Sequence, residues 1–142
     1  MTAVRHDPRI STLRVADVMH AGVFTCEREA LLSEVAATMA RERVHCVVVE
    51  SGSGDPGSPW GVVSDLDLIA AATVRELDEQ TAGGSAATPV VMVSPDEVLD
   101  RAAQLMTEHA TAHLVVVDGE RGLPLGVVST LDIATILAEG PR

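Results

Sequence analysis

Two seven-residue stretches carry the side chains with the clearest chemistry, and they are close copies: Gly61-Val62-Val63-Ser64-Asp65-Leu66-Asp67 and Gly126-Val127-Val128-Ser129-Thr130-Leu131-Asp132. In each, β-branched residues lead into a serine, with an aspartate three positions on. A hydroxyl followed by an acid at that spacing is a capping box. The hydroxyl takes the third backbone N–H of a helix and the acid reaches back to the cap N–H. The same geometry suits a ligand, because a carboxylate accepts from both hydroxyls of a ribose cis-diol. A serine hydroxyl with free N–H groups at a helix start favours phosphate oxygens. Both readings stay open, and finding the motif twice strengthens the second.

Other chemistry finds less support. Asp65 and Asp67 lie two apart and point in different directions at a helix start, so they make no acid–base pair. The chain has no nucleophile elbow, Walker loop or dinucleotide fingerprint, and no residue is assigned a catalytic role. Cys26, His45, Cys46, His109 and His113 hold enough ligand atoms for zinc but lack CxxC or HxxxC spacing, so no metal site is expected. The two cysteines sit in apolar runs and read as reduced, buried thiols. His45 and His113 enter the central strands, where they touch a ligand or serve no role. Trp60 reads as a partly exposed turn residue.

The elements that position the motifs form a repeat. Leu32, Val35, Ala36 and Met39 fall at i, i+3, i+4 and i+7, the apolar stripe of a helix. Adding 67 gives Leu99, Ala102, Ala103 and Met106. A short apolar segment precedes each helix (Val23 to Cys26, Val90 to Val93). A β-branched run follows it (Val47 to Val49, Val115 to Val117). The serine motif recurs at an offset of 65, the difference falling in the turns Ser51 to Pro59 and Gly119 to Pro124. Helices are expected over Leu66 to Leu77 and Leu131 to Leu137.

Each copy is therefore a β-α-β-β-α unit too small to bury both faces of its sheet. An α/β (α+β) fold follows, with the copies packed through their sheets about a pseudo-twofold axis. The expected limits are a flexible tail over 1–12, copies over 13–78 and 88–138, a linker over 79–87 and a C-terminal tail over 139–142.

Composition excludes several partners. Ten Lys and Arg against 21 Asp and Glu give a formal charge of −11, which repels nucleic acid and anionic lipid. No apolar run approaches the roughly 18 residues that span a bilayer, and the N-terminus lacks a signal-peptide core, so a cytoplasmic location is expected. Phe24 and Trp60 are the only aromatic residues, which disfavours a site built on aromatic stacking.

The two units, taken in order, resemble a pair of CBS domains (a Bateman module) over nearly all of residues 14 to 138. Leu13 to Met19 is similar to the short helical segment that opens such modules. The resemblance implies a stand-alone regulatory module without catalysis. It implies AMP, ADP, ATP or S-adenosylmethionine bound as a regulatory ligand in clefts between the copies, and dimerisation into a disc. Ser64 with Asp67, and Ser129 with Asp132, then contact phosphate and ribose. Backbone at Val23, His45 and Cys46 meets adenine in one cleft, and backbone at Val90, Ala112 and His113 does so in the other. The output passes to an unidentified protein effector or through a homodimer. Two departures qualify the match. Ser85-Ala86-Ala87-Thr88 stands where the first copy opens with Asp-Val-Met, so the clefts are not equivalent. Few Lys or Arg lie near either motif, which disfavours tight triphosphate binding. The competing class is a structural or protein-interaction module that binds no nucleotide and whose motifs only cap helices.

Overall fold

A computed structural model describes residues 7–52 and 57–140. The middle of the turn expected over Ser51 to Pro59 falls at 53–56, outside the described residues. So do the first six residues of the expected tail and the last two of the chain. Its elements in order are α1 (Pro8–Ser11), β1 (His20–Ala21), β2 (Thr25–Cys26), α2 (Leu32–Glu42), β3 (Cys46–Glu50), β4 (Pro59–Ser64), α3 (Asp65–Ala72), α4 (Ala82–Ser85), β5 (Met92–Val93), α5 (Leu99–His109), β6 (His113–Val117), β7 (Pro124–Ser129) and α6 (Thr130–Glu139). Single 3-10 turns lie at Val15–Asp17 and Leu77–Glu79.

The described chain forms two compact units. One holds residues 22–52, 57–90 and 121–124; its sheet has the order β2-β3-β4, with β2 parallel and β4 antiparallel to β3. The β-branched run Val47-Val48-Val49 is buried because β3 is the central strand. Helix α2 makes the crossover from β2 to β3 and sinks Leu32, Val35 and Met39 into a core with Val47, Val49, Val63, Leu68, Ala71 and Ala82. The other unit holds 7–21, 91–120 and 125–140, with sheet order β1-β7-β6-β5. Its core repeats the first at equivalent positions: Leu99, Ala102, Met106, Leu114, Val116, Val128 and Ile133, closed by Val15 where the first has Ala82.

The units do not follow the contiguous limits 13–78 and 88–138, because the opening segments are exchanged. Residues 13–21 pack with the second copy: the Val15 N–H donates to the Glu97 carbonyl at 2.8 Å and the Leu99 N–H to Leu13 at 2.8 Å. Residues 80–87 play the same part for the first copy, with Ala82 N–H donating to Ala30 at 2.8 Å and Leu32 N–H to Gln80 at 2.9 Å. These bonds satisfy a donor at the start of α2 and of α5, whose cap positions Leu31 and Val98 make no side-chain cap bond. The segment expected as a linker is thus structural. So is part of the expected tail: Pro8–Ser11 form a helical turn capped by the Asp7 carboxylate, and Ile10 packs on the core.

Three local expectations need correction. Helix α3 stops at Ala72, well short of Leu77, and the Gln80 side chain donates to the Ala71 carbonyl at 2.9 Å and to that of Arg75 at 3.1 Å. The short opening strands cover only the last two residues of each expected run. Trp60 lies within β4 rather than in a turn, and the Arg28 guanidinium carbon stands 4.3 Å from its ring centroid. An indole face attracts a guanidinium, which holds this long side chain in place.

Candidate functional site

Both serine motifs sit where a sheet strand runs straight into a helix, and both are capping boxes. Asp67 N–H donates to Ser64 Oγ at 3.2 Å, and Ser64 N–H donates to Asp67 Oδ2 at 2.8 Å. In the second copy the corresponding distances are 3.1 and 2.8 Å. The reciprocal bonds fix each carboxylate against the first turn of its helix. One oxygen of each aspartate is spent on the cap. Asp67 Oδ1 has no hydrogen-bond partner among the described residues.

Each motif has a second strand beside it. Cys46 is the direct cross-strand partner of Ser64, and the His45 carbonyl accepts from the Asp65 N–H at 2.9 Å. In the other unit the Ala112 carbonyl accepts from the Thr130 N–H at 2.9 Å. Ala112 is therefore the structural equivalent of His45, and His113 of Cys46. Val23 leads into β2, next to Phe24, whose carbonyl accepts from Val48 N–H at 2.9 Å. Val91, in the matching place, accepts from Val115 at 3.1 Å, while Val90 closes the other unit. Within one unit the structure thus gathers Val23, His45, Cys46, Ser64 and Asp67; within the other it gathers Ala112, His113, Ser129 and Asp132.

The expected supply of free N–H groups is mostly absent. At α3 the Asp65 N–H goes to His45, the Leu66 N–H to Asp65 Oδ1 at 2.9 Å and the Asp67 N–H to the serine. At α6 the Leu131 N–H alone of the first three is left without a partner among the described residues, because Thr130 replaces Asp65. The basic side chains beside the motifs are histidines. His45 Nδ1 lies 3.0 Å from Asp65 Oδ2, an exposed pair of small energetic weight.

One neighbour escaped sequence reasoning. His20 Nε2 lies 2.7 Å from Asp132 Oδ1, the oxygen that the capping box leaves over. The strand pairing His20↔Val127 places the imidazole there. No local pattern signals this, since the two residues are 112 apart in sequence.

Both cysteine thiols are pushed up to about 11, chiefly by burial, with Glu50, Glu27 and Glu34 adding to the effect at Cys26 and Asp65 at Cys46. They are poor nucleophiles and poor metal ligands at neutral pH. Among the described residues no three His, Cys, Asp or Glu side chains converge on a metal position. No described helix is long and apolar enough to cross a membrane. A cavity of about 540 Å³ lined by Glu27, Arg28, Glu29, Glu50, Ser51 and Gly52 includes no motif residue, and its three carboxylates oppose an anionic occupant.

Two α/β units, each with a strand-to-helix Ser-x-x-Asp corner, define a tandem α/β module. The family model described as CBS domain matches residues 15–73 and 85–139, and the chain belongs to the CBS domain family. Among solved structures it is similar to the CBS domain protein PAE2072 from Pyrobaculum aerophilum complexed with AMP. The two are 30% identical with a TM-score of 0.76, over 90% of this chain and 98% of that one. The CBS domain pair of protein MJ0100, in complex with 5′-methylthioadenosine and S-adenosyl-L-methionine, shares the fold at 19% identity. Its TM-score is 0.77 over 89% of this chain and 96% of that one. A homoserine O-acetyltransferase from Methanohalophilus mahii is 28% identical over 130 residues, 92% of this chain. The chain spans 26% of that relative's length.

Proposed function

We propose that this chain is a regulatory module that binds an adenosine-containing ligand without catalysing a reaction, using the Asp67 and Asp132 carboxylates to hold the ribose diol. The observation that carries the reading is Asp67. Its carboxylate is fixed by the cap through one oxygen and keeps the other open, which is what a diol needs. Support comes from the 30% identical CBS domain protein complexed with AMP. Ser64 and Ser129 keep a hydroxyl proton to donate to phosphate. Backbone at Val23, His45 and Cys46 in one unit, and at Ala112 and His113 in the other, would serve the base.

The ligand class follows from charge. A chain of net charge −11, whose motifs are flanked by histidines and have few arginines or lysines nearby, suits AMP or S-adenosylmethionine better than ATP. The ligand state would pass to an effector protein or to a second copy of the chain by shifting the population of conformers. A cytoplasmic location belongs to the same proposal.

A second reading has its own observation. Both motifs form complete capping boxes, which is all that a purely structural or protein-interaction module would ask of them. Calorimetric titration with AMP, ATP, NADH and S-adenosylmethionine separates the two. Binding of AMP or S-adenosylmethionine that Asp67→Asn weakens by one to two orders of magnitude supports the sensor. Silence toward all four ligands overturns it and leaves the structural module.

A further inference from the structure

The two aspartates are not equally available, and the difference lies in the exchanged opening segments. Strand β1 runs antiparallel to β7 with His20 opposite Val127. In the other unit the matching bridge is Ala87 opposite Val62, with the Ala87 N–H donating to Val62 at 2.9 Å and the Val62 N–H returning to Ala87 at 3.2 Å. Residues 20 and 87 thus hold the same place beside the two motifs. One is a histidine that reaches the aspartate, and the other is an alanine that cannot.

Asp132 is left with no open oxygen: Oδ2 accepts from Ser129 N–H and Oδ1 from His20. Its side chain is 11% exposed, whereas that of His20 is 78% exposed. The imidazole is therefore held over a nearly buried carboxylate chiefly by that contact, with little packing to keep it there.

We propose that His20 makes the two motifs unequal, masking Asp132 so that a diol ligand must displace the imidazole, while Asp67 stays open. This rests on the reading that the aspartates hold a ribose diol. The mask is a weak one. A hydrogen bond from so exposed a side chain costs little to break, so it lowers affinity by roughly threefold to tenfold rather than closing the site.

The test is calorimetric titration with AMP, using Asp67→Asn to read the Asp132 motif alone and Asp132→Asn to read the Asp67 motif alone. Adding His20→Ala to the first protein is expected to tighten AMP binding by roughly threefold to tenfold. Adding Ala87→His to the second is expected to weaken it by a similar factor. The latter change leaves β1 untouched, so the pair does not depend on one variant folding. AMP binding that is unchanged or weakened by His20→Ala, or unchanged by Ala87→His, overturns the assignment of His20 and leaves the sensor standing. Silence of both motifs in every protein overturns the two together.

Discussion

The carbonyl oxygen of His20 lies so close to Gly126 that a Cβ on residue 126 would overlap it. The glycine that opens the second motif is thus a packing requirement, because the exchanged segment lies directly over that strand. Gly61 meets the Ala87 carbonyl in the same way, with an added Cβ at 2.9 Å.

Gly126→Ala is expected to destabilise its unit by at least about 2 kcal/mol, since the clash is with backbone and not with a movable side chain. Gly61→Ala should cost less, because its clash is milder. Urea unfolding of the two variants checks the order, and a silent Gly126→Ala would show that β1 does not lie over β7.

Removing the cap hydroxyls tests the boxes apart from any ligand. Ser64→Ala and Ser129→Ala should each lower stability by about 1 kcal/mol. Equal unfolding midpoints for variant and parent would mean that the boxes do not form in solution.

Two helices end on left-handed residues that are not glycine: Arg43 at φ 55° after α2, and Ala110 at φ 51° after α5. Each N–H donates to a methionine carbonyl, Met39 or Met106. Glycine relieves the Cβ crowding there, so Arg43→Gly and Ala110→Gly should each stabilise by about 0.5–1 kcal/mol. The sites lie in separate units and their effects should add. A loss of stability in thermal unfolding would contradict the assigned backbone.

The two thiols, Cys46 buried and Cys26 half-buried, predict an alkaline limit. Raising Cys26 and Cys46 from 9.0 to about 11 means that the fold holds them protonated. Below pH 9 this contribution is fully present. As pH rises from 9 towards 11 the unfolded chain loses its thiol protons first, and stability falls. At pH 8 the folded thiols carry roughly a hundredfold less thiolate than free ones, so iodoacetamide should label the native protein about that much more slowly. Labelling at the unfolded rate would show that the thiols are exposed.

Periodicity and repetition made much of the fold legible. The i, i+3, i+7 stripe placed Leu32, Val35 and Met39 in one core and Leu99, Ala102 and Met106 in the other, as found. The Ser-x-x-Asp spacing foretold the caps, because a capping box is closed by residues within one helical turn. The same locality explains the errors. Helix α3 ends sooner than its spacing predicts, and the glutamine that takes its Ala71 carbonyl, Gln80, lies beyond the helix. Residues 8–11 and 80–87 carry no local periodicity, because what orders them is distant in the chain.

By itself, then, the sequence determined whatever short-range spacing encodes: the two repeats, their helices and strands, the apolar faces and the capped corners. The tertiary structure alone decided which opening segment joins which unit, why residues 61 and 126 are glycines, and that Asp132 meets a histidine while Asp67 does not. Those outcomes depend on backbone pairing between segments up to about a hundred residues apart, as in His20 and Val127. A single chain read in order gives no measure of such distances.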